Sequence, residues 1–161
     1  MKKKILILHT NMELGGAETS LLGLLWSLDY DRVSADLFLY AHTGELLPLL
    51  PDAVRLLPEQ PAYRALCDPI RTVIRQGHPV VAGARLRAKL VTAVRNRKMH
   101  FRDYGHALKQ RTHAYAVRHL PRIGGDYDMA ISFIDPHWIV NRRTSAPVRL
   151  GWFHTDCALI T

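Results

Sequence analysis

Cysteine is scarce in this sequence of 161 residues. The two cysteines, Cys67 and Cys157, stand far apart and form neither a C-x-x-C motif nor a Cys/His ligand spacing. This excludes a disulfide scaffold, predicts reduced thiols and gives no basis for a cysteine-built metal site. A hydrophobic content of 48% in a chain of this length is enough to form a core without cross-links, so we expect one soluble globular domain.

Long apolar runs are absent as well. Residues 2–4 are three lysines that resemble the start of a signal peptide, but the apolar run after them ends at Leu8, before His9. No stretch approaches the roughly 18 consecutive apolar residues that a spanning helix needs. We therefore expect a cytoplasmic protein whose contact with a membrane, if it has one, is peripheral.

Acidic residues are nearly missing from the middle of the chain. Between Arg71 and Arg122 there are 13 Lys or Arg and one acid, Asp103, whereas the rest of the chain has more acids than bases. The net charge of +8 therefore comes from one segment. Such an asymmetry indicates an anionic partner surface, such as phospholipid head groups, a charged polymer or nucleic acid.

The hydrophobic pattern predicts five strands. The first, residues 4–9, is a nearly continuous apolar run of the kind found in central parallel strands that are buried on both faces. The other strands are predicted at 36–40, 53–57, 128–134 and 148–153, with helices at 17–28, 44–50 and 138–143. This alternation predicts an α/β fold with a Rossmann-like, doubly wound parallel sheet, for which fold habit gives the strand order 3-2-1-4-5.

Residues 61–122 are predicted to form a basic helical insertion within this sheet. They contain helical stretches at 63–76, 81–98 and 101–120 and no convincing strand. In the last stretch an apolar face is marked by Phe101, Tyr104, Leu108 and Tyr115. We expect a single domain over residues 1–161, and a fragment of a larger protein because few residues follow the fifth strand.

Ligands of open parallel sheets bind beyond the carboxyl ends of the strands, where the strand order reverses. Here that edge receives the loops 10–18, 135–138 and 154–156. Gly15 and Gly16 are expected to adopt positive φ and to bring bare backbone close to a ligand, at a helix N-terminus that suits a phosphate. The alternative is a glycine pair needed only for the turn, since the loop is neither G-x-G-x-x-G nor a P-loop.

Polar side chains in the same loops are further candidates. Glu18 either stabilises the helix dipole or hydrogen-bonds a hydroxyl-rich ligand. His154 follows a strand and stands near Asp156, which favours a functional role, although a strand-end histidine is often only a satisfied polar residue. Asp135 either lines the cleft or caps the next helix. The remaining histidines, such as His106, have no carboxylate or cysteine partner nearby in the sequence, so no metal site is predicted.

Both ends of the chain resemble a known family. Residues 3–8, followed by Met-Glu-Leu-Gly-Gly-Ala-Glu at 12–18 and a Leu-rich helix, resemble the opening of the GT-B glycosyltransferases of family 4. Residues 127–133 and 151–156 also look like that family's stretches of the type YD-x-x-IS and W-x-H-x-D. The resemblance covers about half of the chain and leaves the basic middle unmatched.

The resemblance implies the N-terminal, acceptor-side domain of a retaining, metal-independent hexosyltransferase that is inactive alone. A missing C-terminal domain would grip the nucleotide of a nucleotide sugar, which is a substrate, so no cofactor is implied. Gly15 and Gly16 would present backbone to the donor diphosphate, and the catalytic residue His154 would hydrogen-bond the transferred sugar or its leaving phosphate. Glu18, Asp135 and Asp156 would line the cleft or support it. No general base or nucleophile is assigned.

The basic segment predicts where an acceptor binds. Arg95, Arg97, Lys98 and Arg102 are expected to face an anionic leaflet beside a lipid-linked acceptor, or a glycan, in envelope polysaccharide synthesis. An ordinary solvated helical face is the alternative. A second hypothesis is a module that binds nucleic acid or another polyanion through residues 71–122. It ranks behind the first because no helix-turn-helix, zinc or RNA-stacking signature is present.

Overall fold

Five parallel strands form one sheet in the structure, a computed structural model that describes residues 2–100 and 103–154. The strands are β1 (Lys3–His9), β2 (Val33–Leu39), β3 (Arg55–Leu56), β4 (Met129–Ser132) and β5 (Val148–Gly151). Their order is β3-β2-β1-β4-β5, which confirms the predicted α/β fold and strand order. The order reverses between β1 and β4, so the loops after these two strands meet at the same edge.

Six α-helices flank the sheet in the described part of the chain. They are α1 (Gly16–Ser27), α2 (Pro61–Arg64), α3 (Ile70–Arg75), α4 (Pro79–Met99), α5 (Tyr104–Ala116) and α6 (Trp138–Arg143), with 3-10 turns at Leu47–Leu49 and Val117–His119. The predicted bounds of α6 are confirmed. The single helix predicted over 63–76 is wrong, because Pro69 has no N–H to donate and restricts Asp68 before it, which separates α2 from α3.

The side chains of the strands alternate between two helical layers. Ile7, Leu37 and Phe133 face α1, which buries Leu21 and Leu25 against them. The opposite face is covered by the segment 61–122 together with α6. That layer is built from small and aromatic side chains against the sheet residues Leu6, Leu8 and Phe38: Tyr63, Val73, Val81, Ala82, Ala84, Ala116, Val117, Ile139 and Val140. The basic segment is therefore a layer of the domain core as well as a surface.

Asp36 in β2 connects three segments in the amino-terminal half of the sheet, away from the edge at which the loops after β1 and β4 meet. It is buried, accepts a hydrogen bond from Arg55 Nε at 2.8 Å and is also bonded by Arg55 Nη2. Tyr127, just before β4, donates its hydroxyl to the same carboxylate at 2.7 Å. Burial alone would raise the pKa of Asp36, but these hydrogen bonds outweigh it and hold the pKa below its ordinary value.

Strand β5 is exposed along its whole length, which is unusual for a parallel strand. All four of its residues are exposed, including Val148 and Leu150. Trp152 and Phe153, directly after it, are exposed as well. Parallel strands are normally covered on both faces, so this edge presents an apolar surface that a further element can cover.

Candidate functional site

The carboxyl edge of β1 holds a buried histidine and carboxylate in contact. His9, the last residue of β1, is completely buried, and its Nε2 lies 3.1 Å from Oε1 of Glu18 in the first turn of α1. Burial lowers the pKa of His9, and the hydrogen bond to Glu18 only partly offsets this effect. His9 is therefore a neutral imidazole near pH 7 that donates to the carboxylate and fixes its position.

Gly15 makes room for this carboxylate. A Cβ at position 15 would overlap Oε2 of Glu18, whereas a Cβ at Gly16 would meet open space. The expectation that the two glycines adopt positive φ is wrong: Gly15 is extended, with φ −159°, and Gly16 is not among the positive-φ glycines. Gly15 thus leaves space for the Glu18 carboxylate beside its Cα and makes no left-handed turn.

The glycine that does require a left-handed conformation in this region is Gly44. It has φ +119°, and a Cβ there would overlap the backbone of Met12 and Glu13. The loop is fixed by two hydrogen bonds, Met12 N to Thr43 O at 2.8 Å and Leu46 N to Met12 O at 2.9 Å. Sequence reasoning missed Gly44, because its contact with the loop 10–16 is made across space and no local motif marks it.

The first turn of α1 offers backbone donors. Its N-cap, Gly15, has no side chain to accept from the helix, and Thr19 uses its own N–H and hydroxyl on the Gly15 carbonyl, at 2.9 and 2.8 Å. The amides at the start of the helix therefore have no capping side chain, and Gly16 leaves the approach to them open. Such a helix start suits an anionic group.

His154 lies on the same edge, after β5. Its ring packs on the buried ring of Phe133 with centroids 4.6 Å apart, and it stacks with Trp152 at 6.1 Å. Phe133 in turn meets His9 edge-on at 6.0 Å. The contacts Gly15–Glu18–His9–Phe133–His154 therefore form one continuous path. The first loop and His154 are thus connected through the buried residues His9 and Phe133.

Asp135 faces the helical layer. Its Oδ2 lies 3.1 Å from Nδ1 of His106 and accepts a weak hydrogen bond from Gln110 Nε2 at 3.4 Å, both residues belonging to α5. Trp138 Nε1 donates to Gln110 Oε1 at 3.3 Å. His106 has no carboxylate partner nearby in the sequence, but the fold brings Asp135 to it, so the expectation that it has none is wrong. The alternative role of Asp135 as a cap of α6 is also wrong, because α6 has no side-chain cap hydrogen bond. The carboxylate ties α5 to the loop after β4.

The predicted acceptor surface lies elsewhere, on α4. Arg95, Arg97 and Lys98 are exposed in the last turns of that helix. Asp156 and Arg102 lie outside the described residues. Within the described ranges, no group of three or more metal-ligating side chains is gathered in a way that could hold an ion.

The helix that carries these cations also has an exposed apolar strip. Leu86, Leu90 and Val94 follow each other at intervals of four residues and are 49%, 67% and 52% exposed. The helix contains no Asp or Glu. None of the described helices has the length and apolar character needed to cross a bilayer. The side of α4 that carries Val81 and Ala84 packs in the core, whereas this second apolar strip has no partner in the described structure.

Comparisons with protein-family models, with curated proteins and with solved structures gave no match for this chain.

Proposed function

We propose that this chain is the acceptor-side Rossmann-like domain of a GT-B glycosyltransferase that resembles family 4. It would transfer a hexose from a nucleotide sugar to a glycan or lipid-linked acceptor at the cytoplasmic face of a membrane. The observation that carries the proposal is the shared edge: the uncapped start of α1 and the imidazole of His154 are linked through Glu18, His9 and Phe133.

The chemistry of that edge fits the departure of a nucleoside diphosphate. Negative charge grows on the leaving diphosphate as the glycosidic bond to it breaks, and backbone N–H groups with a histidine stabilise such charge without a metal. The open space beside Gly16 lets a phosphate oxygen reach the amides of α1. His154 is exposed, so it is free to donate a hydrogen bond to the sugar or to the phosphate.

Glu18 and His9 have a supporting role in this proposal. The neutral His9 is completely buried and holds the carboxylate against Gly15. Glu18 is 16% exposed, so one side of the carboxylate remains available to accept a hydrogen bond from a sugar hydroxyl. This pair positions the first turn of α1 and needs no proton transfer of its own.

The exposed edge of β5 supports the presence of a second domain in the working enzyme. Val148 and Leu150 in β5 and Phe153 after it are exposed and form an apolar surface at the β5 edge of the sheet. A donor-binding domain that packs across this surface would bury it and close the cleft over the carboxyl edge. The proposal therefore expects nucleotide binding to depend on residues outside those described.

The exposed apolar strip of α4 supports a membrane-bound acceptor over nucleic acid. Leu86, Leu90 and Val94 form an apolar strip, and the cations Lys89 and Arg97 lie on the same helix without any acid. An apolar strip gains free energy on entering an acyl layer and gains none on a phosphate backbone. Polyanion binding through residues 71–122 therefore remains the weaker proposal.

The test is sugar transfer by the product of the complete gene. A panel of labelled nucleotide sugars is offered with membrane lipid extract, first to the wild-type protein and then to His154→Ala. Loss of the charge-stabilising hydrogen bond should lower turnover by about 100-fold. His119→Ala, which removes an exposed histidine beyond the end of α5, is the matched control and should turn over normally.

Two results would contradict the proposed function. One is unchanged turnover in His154→Ala. The other is a gene that encodes no second nucleotide-binding domain together with a protein that transfers no sugar from any donor in the panel.

A further inference from the structure

A cavity lies between the sheet edge and the helical layer. It encloses about 310 Å³ and is reached from Thr10 and Asn11 after β1 and from Tyr40 after β2. Its other wall is formed by Leu66, Cys67, Arg85, Gly105, Leu108, Lys109, Thr112 and His113. This volume is at the lower end of the range for small-molecule sites.

The wall of the cavity is cationic. Arg85 and Lys109 line it, and no Asp or Glu is among its described lining residues. Arg85 is anchored by Nη1, which donates to the carbonyl oxygens of Ala65 and Asp68. Neither cation has a carboxylate within ion-pair distance in the described ranges, although each is partly buried. Two partly buried charges without a counter-ion are costly unless an anion neutralises them.

His113 is a buried residue of the same wall. The residue is only 6% exposed, and its Nδ1 has no hydrogen-bond partner among residues 2–100 and 103–154. Burial, with a smaller effect of Lys109, lowers the pKa of His113 to about 3. The imidazole is neutral near pH 7 and can donate or accept one hydrogen bond without adding charge.

We infer that this cavity binds a phosphate monoester, with Arg85 and Lys109 as its cationic contacts and Thr112 as a neutral one. A dianion neutralises both cations, whereas a carboxylate would leave one unpaired. Asn11 and Thr10 provide further donors on the sheet side. The monoester is either a free sugar or polyol phosphate or the head group of a lipid.

The cavity adjoins the edge described above. Thr10 follows His9 directly, and Lys109 acts on the pKa of both His9 and His113. A phosphate held there would place the remainder of its molecule near the cleft. Its use as the anionic group of the acceptor rests on the proposed function, whereas the binding itself does not.

The experiment measures binding without any sugar nucleotide. The full 161-residue chain is titrated with sn-glycerol 3-phosphate by calorimetry, and separately with phosphatidylcholine vesicles that contain phosphatidic acid. Lys109→Gln removes one cation and should raise Kd about tenfold or more, in whichever arm shows binding. Thr112→Val should weaken binding less, by about three- to tenfold. The control Lys2→Gln removes an exposed lysine just before β1 and should change Kd by less than about twofold.

The outcomes are distinguishable. Binding of glycerol phosphate that is sensitive to Lys109 supports a soluble monoester, and Lys109-sensitive binding seen only with the vesicles supports a head group. No binding in either arm overturns the inference. Equal weakening by Lys109→Gln and Lys2→Gln also overturns it, because attraction would then follow net charge alone. A chain that binds the phosphate but belongs to a protein without transferase activity would keep the site and remove the proposed function.

Discussion

Asp135 and His106 are joined by a contact of 3.1 Å between Oδ2 and Nδ1, which couples the helical layer to the loop after β4. Both side chains are largely buried, at 9% and 15% exposure, so the pair is shielded from solvent. The helix that lines the phosphate cavity and the loop beside the proposed cleft are thereby held together. A substitution that displaces the helix should therefore also displace the loop.

This coupling is measurable by a double-mutant cycle. His106→Ala and Asp135→Ala should each lower the free energy of unfolding by about 1–3 kcal/mol, because each leaves a partly buried polar partner unpaired. In the double variant, the free energy of unfolding should fall by about 1 kcal/mol less than the sum of the two single losses, as measured by urea unfolding. Strictly additive losses would show that the two side chains do not interact.

His113 should make the fold sensitive to acid. Its pKa is lowered to about 3, while that of an unfolded histidine is 6.5, so protons bind the unfolded chain more tightly. The stability contribution is complete above pH 6.5 and is lost as the pH falls from 6.5 toward 3. Between about pH 7.5 and pH 5, the free energy of unfolding of His113→Leu should fall by about 2 kcal/mol less than that of the wild-type protein, as measured by urea unfolding.

The control for this pH dependence is His119→Leu, which alters an exposed histidine. Its free energy of unfolding should fall over this pH range by as much as that of the wild-type protein. His9 has a lowered pKa too and contributes a loss of the same sign in all three proteins, so only the difference between variants is informative. An unchanged loss in His113→Leu would contradict the burial of a neutral imidazole at this position.

Gly44 and Gly16 provide a matched pair for the loop after β1. Gly44→Ala puts a Cβ at φ +119° and into the backbone of Met12, so it should lower the free energy of unfolding by more than about 2 kcal/mol. Gly16→Ala meets open space and should change it by less than about 0.5 kcal/mol. Thermal unfolding of both variants measures this, and equal effects would show that the loop geometry differs from the one described.

The apolar strip of α4 should govern attachment to membranes. Leu90→Gln should weaken binding to anionic vesicles, measured by sedimentation, by about 30-fold, since the gain from burying one leucine is about 2 kcal/mol. Leu49→Gln, an exposed leucine outside α4, is the control and should have no effect. Binding to DNA that is lost in the triple substitution of Arg95, Arg97 and Lys98, with no effect of Leu90→Gln on either partner, would favour the polyanion alternative.

Much of the fold was predictable because the local pattern and the tertiary environment agree. The apolar run in β1 is buried on both faces as its composition indicates, and the spacing of Leu21 and Leu25 places them on the core side of α1. The error at residues 63–76 has a local cause, Pro69. The predicted apolar face of α5 is also displaced, since its buried residues are His113 and Ala116. A histidine with a strongly lowered pKa behaves as a core residue, which polarity alone does not indicate.

The candidate site was predictable only as a location. The rule for parallel sheets brings the first loop and His154 to one edge, but it does not identify their partners. Glu18 meets His9 within one loop, and Asp135 meets His106 across two layers, so neither pair is visible as a motif. The cavity around Lys109 depends on how α4 and α5 pack against the sheet. The spacing of residues along the sequence does not indicate how these helices pack.

The most direct test of the shared edge monitors the resonances of Gly16 and His154 in the same titration. The chain is labelled at its glycine amides and histidine rings and titrated with inorganic pyrophosphate, a probe that does not depend on the nucleotide base. If the start of α1 and His154 hold one diphosphate, both resonances shift saturably with a common midpoint, and His154→Ala raises the midpoint seen at Gly16. Different midpoints, or a shift at one residue without the other, would contradict a common diphosphate site.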